Sequence, residues 1–66
     1  MIYGIRLNRP PDSKHPWLSW DDSLRYGATD VPEITPHLAE CQRMLDLIPK
    51  DWEGEIVKLI IYWRRP

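Results

Sequence analysis

A chain of 66 residues and 7.9 kDa, with nine Lys or Arg against ten Asp or Glu, is one domain at most. Folding at that size buries only roughly 60% of the surface an unfolded chain exposes, which leaves little room for a dry catalytic pocket. A net charge of −1 argues against nucleic-acid binding through bulk charge, and the single cysteine, Cys41, rules out an internal disulfide framework and points to a reducing, cytoplasmic setting.

Ile2 to Leu7 reads as a strand, because Tyr3, Ile5 and Leu7 alternate with Ile2, Gly4 and Arg6. Pro10-Pro11 ends it by removing backbone donors and restricting the residue before each ring. Residues 8–34 form a long connection holding Pro10, Pro11, Pro16 and Pro32, with a possible short strand over 17–20 and a turn within Asp21 to Gly27. Thr35-Pro36 reads as a helix start, so the helix is expected over 36–48. Its apolar stripe is Leu38, Cys41, Leu45 and Ile48, widened by Met44, with Leu47 off to one side. Pro49 disfavours helical geometry at Ile48 and ends the element.

The strongest strand pattern is 55–63. Val57, Leu59, Ile61 and Trp63 lie on one face, and Ile56, Lys58, Ile60 and Tyr62 on the other. A sheet covered by one helix should have one wet face, yet both faces here are mostly apolar. The predicted fold class is α+β, a small single domain with one amphipathic helix packed on a two- or three-stranded sheet. The second apolar face then needs a cover, supplied by the Trp-bearing loop or by another chain. The start lacks a cationic stretch followed by an apolar run, so no secretory signal is expected. The longest apolar run, 59–63, is far too short for a bilayer.

Four tryptophans and no phenylalanine are unusual in so short a chain. The bland reading is core-building, since indoles bury the most area per residue. The functional reading takes Trp17, Trp20, Asp21 and Asp22, with the Ile56/Ile60/Tyr62 face, as an apolar protein-docking patch rimmed by acids. The rival is a single-stranded nucleic-acid edge made of Arg6, Arg9, Tyr62, Trp63, Arg64 and Arg65, where phosphate contact and base stacking meet. A structural homodimer that uses up the patch is the third option.

Catalytic and metal chemistry are not expected. Asp12-Ser13-Lys14-His15 crowds nucleophile-type residues into one loop, and a triad is recognised by geometry on a scaffold. His37 and Cys41 share a helical face, but a closed zinc site needs four ligands. Gly4, Gly27 and Gly54 are isolated, so no phosphate-binding loop is present. No cofactor is implied. No motif carries a family resemblance. Size and style suggest a non-enzymatic interaction module, an accessory protein of a phage or other mobile element that inhibits a host factor by stoichiometric binding.

Overall fold

Four strands and one helix carry the chain in a computed structural model that describes residues 1–12 and 14–59. The order is β1 (Ile2–Leu7), β2 (Trp17–Trp20), β3 (Tyr26–Thr29), α1 (Leu38–Leu47), a short 3-10 turn (Lys50–Trp52) and β4 (Gly54–Leu59). The sheet is antiparallel throughout, in the order β3-β2-β1-β4, with α1 against β1 and β4. This is an α+β domain, but with four strands where two or three were expected. The part of the 55–63 strand beyond Leu59 lies outside the described residues.

The additional strand is β3, in a stretch read as turn and loop. Its sequence, Tyr-Gly-Ala-Thr, has two strand formers at its ends, with Gly27 and Ala28, which strands disfavour, between them. It is held by a five-residue loop over 21–25 whose organiser is Asp21. The Asp21 carboxylate accepts from the Ser23 and Arg25 amides at 2.9 and 3.0 Å and from Arg25 Nε at 3.0 Å. That local network, typical of Asp at turns, sets Trp20 opposite Tyr26 and Leu18 opposite Ala28. Leu24 takes the left-handed conformation at φ 63 to close the loop.

Alternation places Ile5, Leu7, Leu18 and Trp20 on the helix side of the sheet, where they meet Cys41, Met44 and Ile48 in one core. The helical stripe is narrower than its pattern. Leu38, assigned to the stripe, is 41% exposed, and Leu47 is 47% exposed. The helix also starts later than expected: His37 is the N-cap, while Thr35 forms a bridge to β1. The Thr35 hydroxyl accepts from the His37 amide at 3.1 Å. A single helix cannot cover four strands. Trp52 packs against the core beyond the helix and meets Tyr26 of β3 edge-to-face, with ring centres 5.8 Å apart.

Candidate docking surface

Two tryptophans read as one patch are separated by the pleat. Trp20 points into the core, is 8% exposed, and donates its indole N–H to Glu40 Oε1 at 2.8 Å. Ile56, also assigned to the patch, packs against the same core, opposite Ile5. Trp20 is buried, and Ile56 is half-buried on the helix side of the sheet. The physical reason is strand alternation, which turns both side chains toward the core layer, where Trp20 bonds Glu40 of α1 and Ile56 lies opposite Ile5. Trp17, one residue before the core position Leu18 and three before Trp20, is half-buried on the opposite, outer face. Ile60, Tyr62, Trp63, Arg64 and Arg65 lie outside the described residues.

The register builds a row across that outer face. Thr29 lies opposite Trp17, Trp17 opposite Arg6, and Arg6 opposite Glu55. Directly opposed residues in antiparallel strands share a face, with Cβ atoms about 4.5–5.5 Å apart. Trp17 is therefore flanked by an exposed Arg6 that makes no ion pair among the described residues. Further along the same face, Gly4 lies opposite Val57 and Ile2 opposite Leu59. The strap between β3 and α1 crosses here. A Cβ at Gly4 would sit 3.0 Å from Leu59 Cδ1, 3.3 Å from the Glu33 carbonyl and 3.6 Å from Pro32 Cβ. The strap is anchored by paired Tyr3–Thr35 backbone hydrogen bonds of 2.8 and 3.0 Å, by the Glu33 amide donating to Leu18 O, and by Ser19 Oγ donating to Glu33 Oε1 at 3.4 Å. The second apolar face thus receives partial cover from a proline strap. Val57, Leu59, Ile2 and Trp17 stay half-buried, and Val31 on the strap is 66% exposed.

Of the acids and bases of the two sequence readings, Asp21 and Arg9 are committed to local structure. Asp21 organises its loop; Asp22 is exposed and lines a shallow cleft of about 350 Å³ with Leu24, Glu40 and Arg43. Arg9 pairs with Glu53 at 3.3 Å, and its amide donates to Trp52 O. His15 Nδ1 lies 3.1 Å from Asp12 Oδ2. The Asp12 carboxyl is held below its ordinary range, chiefly by the hydrogen bond it accepts from the Lys14 amide. Burial pushes the Cys41 thiol up, with the Glu40 charge adding to it. Among the described residues no His, Cys, Asp and Glu side chains gather as a metal site, and no helix is long and apolar enough to cross a membrane.

The Trp17–Arg6 pairing was not legible in the sequence, where the two residues are eleven positions apart and were assigned to different surfaces. Only the β1–β2 register brings them together. Against protein-family models, curated proteins and solved structures, the chain has no match.

Proposed function

We propose that this chain is a non-enzymatic protein-interaction module that docks through the outer face of its sheet, with Trp17 and Arg6 at the centre and Ile2, Val57 and Leu59 beside them. The observation that carries this reading is the direct cross-strand apposition of Trp17 and Arg6 on the sheet face turned away from the helix. Trp and Arg are enriched among the few residues that dominate binding energy, and a half-buried indole loses little entropy on docking. The polar row and the apolar end together give the arrangement of an interface with a desolvated centre and a charged rim. The mode of action is stoichiometric occlusion, one copy covering one partner surface.

Affinity capture from a lysate of the native host, followed by mass spectrometry, tests it. Wild-type protein retains a partner that Trp17→Ala and Arg6→Ala each lose, while both variants keep the wild-type circular dichroism spectrum. An unchanged set of retained proteins in both folded variants overturns the docking face. Light scattering on the same preparations identifies the case in which the retained partner is a second copy.

A further inference from the structure

The outer edge of β4 is the second surface with chemistry to offer. Tyr3 exchanges both backbone hydrogen bonds with Thr35, and the Leu7 amide donates to Pro16 O, so odd-numbered residues of β1 face away from β4. The bonds joining β1 to β4 therefore fall at Ile2–Leu59, Gly4–Val57 and Arg6–Glu55. It follows that Ile56 and Lys58 aim their N–H and C=O groups outward, where no backbone partner meets them among the described residues. Beside the start of this edge lies a cleft of about 250 Å³ lined by Leu45, Ile48, Pro49 and Gly54, together with the charged Asp46, Lys50 and Glu53. It lies between the end of the helix and the start of β4.

We infer that this edge takes an extended strand from a different protein, antiparallel, carrying an acid opposite Lys58, a base opposite Glu55 and an apolar side chain beside Gly54. Main-chain bonds would supply affinity, and the cleft and charges would supply choice of sequence. Lys58 and Glu55 are both exposed and lie on opposite faces of β4, so an antiparallel partner reads acid, two apolar residues, base, apolar residue in its N-to-C direction. The same charges disfavour a second copy. A two-fold axis through the added pair joins positions whose numbers sum to an even value, so Glu55 never lies opposite Lys58 of the other copy. The available registers put Lys58 against Ile56, Gly54 or itself, and a lysine on an edge strand discourages such self-pairing. This edge adjoins the Trp17–Arg6 face at Glu55, but the edge is read by peptide binding and that face by the Trp17 and Arg6 variants, so either can fail without the other.

The test uses the full chain and two fluorescent, end-capped peptides, one containing Glu-Val-Val-Lys-Leu and one with the charges exchanged, Lys-Val-Val-Glu-Leu. Anisotropy should show the first binding at least about fivefold tighter, since opposed charges attract and like charges repel across strands. Amide exchange at Ile56 and Lys58 should slow on binding, with Val57 already protected by β1. The doubly exchanged variant, Glu55→Lys with Lys58→Glu, should reverse the preference. Absence of binding at millimolar peptide, equal binding of both peptides, or protection at residues away from β4 overturns the inference.

Discussion

At the scale of single residues, Glu40, in the first turn of the helix, is a structural side chain. Its two carboxylate oxygens receive the Trp20 indole at 2.8 Å and the Thr35 hydroxyl at 3.2 Å, joining helix, sheet and strap. A hydrogen bond to a charged acceptor stabilises more than a neutral one, though partial exposure of Glu40 reduces the effect. A double-mutant cycle of Trp20→Phe and Glu40→Ala, read by urea unfolding, is expected to give a coupling of about 1 kcal/mol. Additive losses would mean that the contact contributes nothing beyond packing. Trp20 was placed in a docking patch because its neighbours Asp21 and Asp22 resemble an interface rim. Asp21 instead serves the turn that brings β3 alongside, and Asp22 is exposed.

At the scale of elements, the helix is cut short by what happens before it. Thr35-Pro36 carries the pattern of a cap and a first helical residue, yet Thr35 is drawn into the plane of the sheet by its two bonds to Tyr3. The N-cap passes to His37, whose side chain makes no capping bond. His37→Ser would supply the missing acceptor for a free amide of the first turn. A gain of about 0.5–1 kcal/mol is expected, seen as a rise of several degrees in Tm by circular dichroism. The start of β1, the end of the helix near Pro49 and the apolar run into β4 were all visible as local pattern. β3 was not, because Gly27 and Ala28 interrupt its strand pattern and its place is set by an Asp-centred loop and by pairing with β2.

At the scale of the whole molecule, stability rests on a very small core. Among the described residues, seven buried hydrophobic side chains, from Ile5 to Ile48, form it, with Trp52 and Tyr3 packed at its margins. At typical values per residue, a domain of this length holds only about 3–10 kcal/mol in total. Removing most of a fully buried side chain costs about 2–5 kcal/mol. Ile5→Ala, at a position with 0% exposure between helix and sheet, is therefore expected to leave a large unfolded fraction at 37 °C. Far-UV circular dichroism against temperature checks this, and a melting curve within a few degrees of wild type would show that the core tolerates the cavity.

Local chemistry alone determined the α+β class, the position of β1, the body of the helix and the direction in which Cys41 and Met44 face, because alternation, periodicity and proline act within a few residues. It also determined that the final strand carries apolar residues on both sides. Which of those sides stays open was decided only by tertiary structure. Strand register turned Trp20 and Ile56 toward the core layer, while the strap through Pro32 covered part of the other face. Register between strands far apart in the chain then set Trp17 beside Arg6. Such apposition depends on which residues the backbone hydrogen bonds align, and that alignment is a property of the folded sheet.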